Sequence, residues 1–222
     1  MIKFSVFTPT NDPTWLHECY ESLKKQTHTE WEWIIVPNGT PAPVIPTDIF
    51  NDPRVVIRAS AESKIGALKS FACSQATGDI YVELDHDDFL VPWALQKLAE
   101  EHEKQGPAFH YSDFASFFPN GSAEVYNNMY GWKTYDFEYD GAKYVAHKCF
   151  PHTPSTIGQI YYAPNHVRAW HRDVYYAAGG HDASMDVGDD HDLVCRTYMS
   201  GSKFIYHEDC LYPVSYTHLT LP

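Results

Sequence analysis

Short apolar, strand-like runs alternating with helix-patterned stretches constrain this chain more than any other feature. Residues 3–8 (KFSVFT), 31–36 (WEWIIV), 55–57 (VVI) and 79–84 (DIYVEL) have the β-branched and aromatic content of buried strands. Between them Trp15, Leu16, Cys19, Tyr20 and Leu23 recur at helical spacing, and residues 64–76 and 93–104 carry helical patterns of their own. The punctuation agrees. Pro9-Thr10-Asn11-Asp12-Pro13 reads as a turn that supplies a helix cap and a proline at the first helical position. Pro37-Asn38-Gly39-Thr40 stops the second run, a Pro-rich loop fills 41–53, and Pro92 opens the helix at 93–104. Such alternation predicts right-handed βαβ units on a parallel sheet, so residues 1–105 read as a nucleotide-binding type of α/β half. From 108 to 162 short strand-like stretches alternate with aromatic, turn-rich loops. Helical patterns return at 170–178 and 190–199. The expected fold class is therefore α/β, a mainly parallel central sheet flanked by helices, with a mixed second half (106–213).

Composition narrows the function. The chain has 222 residues, 44% of them apolar, enough for one sizeable core. Acids outnumber bases 29 to 16, a formal net charge of −13, which excludes a module that binds by neutralising nucleic-acid phosphates. No run approaches the ~20 apolar residues of a membrane span, and the N-terminus leads into a strand instead of a signal peptide, so the chain reads as cytoplasmic. Cys19, Cys73, Cys149, Cys195 and Cys210 are odd in number and never at CxxC spacing, which reads as reduced core thiols. The 13 histidines show no zinc-site spacing. The last nine residues, 214–222 (VSYTHLTLP), match the in-frame translation of a transposon-based sequencing adapter. They are expected to be a non-native tail on a metagenomic gene, with 1–213 forming one domain whose natural continuation is missing. Membrane association of the whole protein stays open for that reason.

Ligands of open α/β sheets bind beyond the carboxyl ends of the strands. Three polar clusters fall there: Thr8-Pro9-Thr10, Pro37-Asn38-Gly39-Thr40 and Asp85-His86-Asp87-Asp88. In an extended segment Asp85 and Asp87 point one way and His86 the other. Two such carboxylates suit a hard divalent cation, Mn²⁺ or Mg²⁺, that completes its shell with water and substrate phosphate. The competing reading is a solvated acidic turn, with Asp88 capping the next helix. A second cluster, Asp189-Asp190-His191-Asp192, opens a helix. Its acids serve either as cap and dipole partners or, for one of them, as a general base taking a proton from an attacking hydroxyl.

In order, the chain shows Thr8-Pro9-Thr10, Asn38-Gly39-Thr40, Lys64-Ile65-Gly66-Ala67-Leu68-Lys69-Ser70, Thr77-Gly78-Asp79 running into Asp85-His86-Asp87-Asp88, Gly179-Gly180-His181-Asp182 and Asp189-Asp190. This series resembles family 2 glycosyltransferases of the GT-A fold over nearly the whole of 1–213. The resemblance implies an inverting transferase that moves a sugar from a nucleotide-diphosphate sugar, a UDP-sugar favoured, onto a glycan, lipid-linked or small-molecule hydroxyl. By the same resemblance Thr8, Pro9, Thr10, the loop of Asn38 and the segment from Lys64 to Lys69 line the nucleotide pocket, with His86 also on the nucleotide-sugar and Asp85 at the ribose or the metal. Asp87, with Asp85, holds the metal, and Asp190 is the general base beside Asp189. Asp189, His166, Trp170, Gly180 and His181 are acceptor-side candidates, Trp170 equally readable as core on a 170–178 helix. Pro37-Asn38 stands where the family shows a pair of acids, and Leu211-Tyr212 matches the start of a motif that ends in His, with His218 inside the suspect tail. Two other readings are a catalytically inactive nucleotide-sugar-binding module and a nucleotidylyltransferase. The latter needs a Gly-rich basic loop after the first strand, and residues 8–13 contain neither glycine nor base.

Overall fold

The computed structural model describes residues 1–118, 122, 130–160 and 163–215. In chain order the first part holds β1 (Phe4–Thr10), α1 (Leu16–Lys24), β2 (Trp31–Pro37), α2 (Thr47–Phe50), β3 (Val55–Ile57), α3 (Ile65–Ser74), β4 (Ile80–Glu83) and α4 (Ala94–Gln105). The second holds β5 (Phe109–Phe117), β6 (Lys133–Tyr139), β7 (Ala142–Lys148), α5 (Pro154–Gln159), β8 (Arg168–His171), α6 (Arg172–Ala177), α7 (Asp189–Met199) and β9 (Phe204–Ser215). Among the described residues the strands form one nine-stranded sheet in the order β3-β2-β1-β4-β8-β5-β7-β6, with β9 on β5.

Strands β1 to β4 are mutually parallel, and β8 enters antiparallel between β4 and β5. All seven residues of β1 and of β2 are buried, as a strand covered on both faces requires. Their side chains divide by the two-residue pleat. Trp31, Trp33 and Ile35 join Leu16, Leu23 and Leu98 of α1 and α4 on one face. Ile34 and Val36 join Leu68 of α3, Tyr175 of α6 and Leu193 of α7 on the other. β8 is the seam: Ile80 faces His171 on one edge and Phe109 faces Trp170 on the other.

The structure corrects several local expectations. β1 runs on to Thr10, because Pro9 and Thr10 continue the ladder with Val36 and Pro37. Pro9 is tolerated since its missing N–H lies on the β4 side, where pairing has ended at Phe7 and Glu83. α1 begins after Trp15, so Pro13 is not its first residue, and Asp12 Oδ1 closes the turn by accepting the Thr14 N–H at 2.9 Å. Asp88 caps no helix; its Oδ1 accepts the Ser215 N–H at 2.6 Å. Trp170 lies on β8 and not on a helix; α6 starts at Arg172, with His171 Nδ1 accepting the Asp173 N–H. The loop 41–53 contains α2. α5 was not foreseen, although its capping box of Thr153 and Thr156 with a following Pro154 is a legible start signal. Val214 and Ser215 close β9 against Ser116 and Phe117. Residues 216–222, with His218, lie outside the described residues.

α3 approaches the 182–185 loop so closely that the Gly66 N–H reaches Met185 O at 3.1 Å, and a Cβ on Gly66 would stand 2.0 Å from Asp182 O. Backbone cannot yield as a side chain does. Gly66→Ala is expected to cost about 1–3 kcal/mol and to lower Tm by several degrees, measured by thermal unfolding.

Candidate active site

The C-terminal ends of β1, β2 and β4 open onto a cavity of about 680 Å³ bordered by Pro9, Thr10, Asn38, Asp85, His86 and Asp87. Ile65 and Leu68, from the 64–69 segment expected at the pocket, also border it; Asn11, Asp12 and Ser63 complete its wall and were not singled out in the sequence. His86 borders the cavity together with both neighbouring aspartates, contrary to the alternation of an extended segment. The chain is no longer extended there, for the Asp88 N–H turns back to Asp85 O at 3.2 Å.

Three expected pocket residues lie elsewhere. Thr8 is fully buried; its hydroxyl donates to Leu84 O at 2.7 Å and accepts the Trp33 indole N–H at 2.8 Å, pinning β1 to β4. Lys64 donates to Ser184 O at 2.9 Å on the exposed side of α3. Lys69 is buried in ion pairs with Glu83 at 2.5 Å and Asp189 at 3.3 Å.

Those pairs belong to a buried charge cluster that joins four elements. Arg168 of β8 donates Nε and Nη2 to the two oxygens of Glu83 at 3.0 and 3.2 Å, and its Nη1 lies 2.8 Å from Asp190 Oδ2 on α7. Burial opposes the Glu83 charge, but Arg168 and Lys69 outweigh it and hold the carboxyl well below the usual range. Asp190 follows the same balance: burial raises it, Arg168 and Lys69 lower it more, and the net direction is down. Asp190 Oδ1 also accepts the His191 N–H at 2.7 Å. Asp189 moves the opposite way, raised by burial and by its acidic neighbours, which Lys69 offsets only in part.

Among the described residues, Asp85, Asp88 and His166 bring possible ligand atoms within 4.8 Å of one another. His166 fits poorly as a ligand. Its Nε2 lies 2.9 Å from Arg168 Nη2, and because a guanidinium only donates, that nitrogen is already an acceptor. Burial, then Arg168, pushes its pKa down to about 3, so the ring is neutral with its proton on a buried, unpartnered Nδ1. Asp88 is engaged by Ser215. The donors that fit a hard cation are the cleft-side carboxylates of Asp85 and Asp87. Burial of its inner side, with repulsion from Glu83 and Asp87, raises the Asp85 carboxyl although 41% of its side-chain surface is open to the cleft. Asp85 thus stands among like charges whose repulsion a divalent cation would relieve. Cys19, fully buried, points its thiol at the carbonyls of His86 at 3.2 Å and Asp88 at 3.0 Å and supports the loop from below.

The remaining candidates are interior. Trp170 is fully buried and donates its indole N–H to Thr197 Oγ1 at 3.1 Å, so it presents no face to a sugar. The His181 side chain is 0% exposed, its Nδ1 3.0 Å from Tyr175 OH and its Nε2 3.6 Å from Asp189 Oδ2. Gly180, at φ 66°, passes beneath the Tyr175 ring, 2.9 Å from where a Cβ would stand. Glu83 and Arg168 were missed. Their one legible signal is a charge inside a short apolar strand run, IYVEL and VRAWH, where a lone ion cannot stay unpaired.

Removing Glu83 leaves two buried cations facing each other. Glu83→Gln is expected to cost about 3–5 kcal/mol in denaturant unfolding. The folded pKa of Glu83 is depressed, so its contribution is complete above the unfolded value near 4.3 and is lost as pH falls through the lower folded value. The variant should lose that acid-side slope and keep the wild-type slope above pH ~5.

The model of glycosyl transferase family 2 matches residues 5–172. Chondroitin synthase of Pasteurella multocida is 27% identical over 172 residues, 75% of this chain and 16% of that protein. O-antigen biosynthesis protein RfbC of Myxococcus xanthus is 28% identical over 102 residues, 43% of this chain and 8% of that protein. The chain therefore spans a small part of the length of these relatives. Among solved structures, S. aureus TarS superposes with a TM-score of 0.71 at 16% identity, covering 96% of this chain and 37% of that one. TarS 1–349 in complex with UDP-GlcNAc gives 0.70 at 15% identity, covering 96% and 58%. The shared fold is GT-A, an α/β fold with a mixed sheet flanked by helices, and with 5–172 matched the chain belongs to glycosyl transferase family 2.

Proposed function

We propose that this chain is the transferase domain of an inverting, metal-dependent glycosyltransferase that moves a sugar from a nucleotide-diphosphate sugar to an acceptor hydroxyl. One observation carries the reading: a cleft at the strand ends bordered by Asp85 and Asp87 of the acidic loop, beside a separate, cation-anchored carboxylate at the start of α7. The first suits a diphosphate with its cation and the second suits a base. The structures of TarS with UDP and with UDP-GlcNAc favour a uridine donor.

In this account Pro9, Thr10 and Asn38 border the nucleotide, with Asp85 and His86 at its ribose end. Asp85 and Asp87 would hold Mn²⁺ or Mg²⁺, which supplies neutralisation of charge on the departing diphosphate. The acceptor oxygen bonds to the anomeric carbon from the side opposite the diphosphate. The old anomeric C–O bond breaks, and its electron pair leaves with the nucleoside diphosphate. The acceptor proton passes to Asp190 and from there to water, so charge and atoms balance and the anomeric configuration inverts.

The test is nucleoside diphosphate release from a panel of nucleotide sugars with Mn²⁺ or Mg²⁺. Release is expected from at least one donor, UDP-sugars first, and is expected to stop with a chelator. Asp190→Asn should lower kcat by about 10²–10⁴-fold with donor KM nearly unchanged. Asp87→Ala should raise the metal concentration required. Release from no donor, or release indifferent to Asp87→Ala, contradicts the proposal.

A further inference from the structure

We propose that Arg168 is a positioning residue for the reaction, its buried guanidinium fixing the carboxylate of Asp190 in place and keeping it ionised. The proposal rests on the reading of Asp190 as the general base.

The geometry is specific. The Arg168 side chain is 3% exposed and spends one edge on both oxygens of Glu83. That bidentate contact sets the guanidinium plane and leaves Nη1 for Asp190 Oδ2 at 2.8 Å. The other oxygen, Oδ1, is held by the His191 N–H at 2.7 Å in the first turn of α7. Two anchors on two oxygens fix the carboxylate in orientation as well as position, while 15% of its side chain stays open to an approaching hydroxyl. Lys69 also pairs with Glu83, so Arg168 is not consumed by that acid and keeps attraction for Asp190.

This arrangement has a kinetic consequence. A base held ionised by an ion pair is weak, so it accepts the acceptor proton late, when the new bond to the anomeric carbon is well advanced. Once protonated, Asp190 no longer balances Arg168, and the proton is driven on to water. A merely structural arginine would affect folding but not the protonation of Asp190.

The variants are Arg168→Lys, which keeps a charge without the fork, and Arg168→Met with Glu83→Gln, which removes charge from both sides of the pair. Two readouts apply. ¹³C titration of aspartate carboxyls, assigned with Asp190→Asn, reads the protonation of Asp190 without requiring turnover. Steady-state kinetics across pH read its use. In Arg168→Lys the Asp190 midpoint is expected to rise by about one pH unit, tenfold in proton affinity, and in the double variant by less, because the Glu83 charge that is also removed acts to raise Asp190. The acid limb of kcat should rise with it, kcat falling about 10- to 100-fold while donor KM changes little. An Asp190 midpoint equal to wild type in both folded variants overturns the proposal even in an active enzyme. A pH profile that stays put while kcat tracks the folded fraction overturns it too. A midpoint that shifts in the variants as expected, in a protein whose wild-type form transfers no sugar, contradicts the proposed function, and with it the catalytic purpose of the coupling, while leaving the ion pair itself intact.

Discussion

The buried carboxylate of Glu83 is the interaction on which the site depends. It sits at the end of β4, one residue before the chain turns into the acidic loop, and it draws Arg168 from β8 and Lys69 from α3 into the interior. Burying three charges is costly unless every one is matched in good geometry. Here the matching is what brings four elements to one point, because the two cations reach beyond Glu83 to the acids at the start of α7. The overall charge of −13 has a local counterpart in this arrangement. Few bases are available, and two of them sit where the acids are most concentrated.

The sheet explains why Arg168 can be there at all. A purely parallel sheet would place another crossover helix beside β4. Instead β8 enters antiparallel between β4 and β5 and carries Arg168 to the level of Glu83. The same strand carries Trp170 into the core under α7, and His166, two residues before the strand begins, lies against Tyr212 of β9 with ring centroids 4.3 Å apart. The floor of the site is thus built from both halves of the chain.

Much of this was legible from the residues. Buried parallel strands announce themselves as unbroken apolar runs, so β1 to β4 and the α/β class could be read directly. Positions that depend on long-range pairing could not. Trp170 has the spacing of the helix that follows it, and only the ladder to Tyr81 and Phe109 makes it a strand residue. Thr8 and Lys69 occupy the segments a nucleotide pocket needs, but tertiary partners 76 and 14 residues away claim their polar atoms. The pleat of a strand would turn His86 away from Asp85 and Asp87, but β4 ends at Glu83 and the turn that follows brings all three to the cavity. Arg168 offered only an isolated charge in an apolar run, and its importance appears once Glu83 and Asp190 are brought beside it.

The central claim is that the acidic cleft holds the donor diphosphate through a cation while Asp190 acts separately on the acceptor. Calorimetric titration of UDP into the protein, with Mn²⁺ and with chelator, tests it most directly. The account predicts saturable binding that requires Mn²⁺, weakens strongly in Asp87→Ala and persists in Asp190→Asn. UDP binding that ignores both Mn²⁺ and Asp87, or that disappears in Asp190→Asn while the fold is retained, would contradict it.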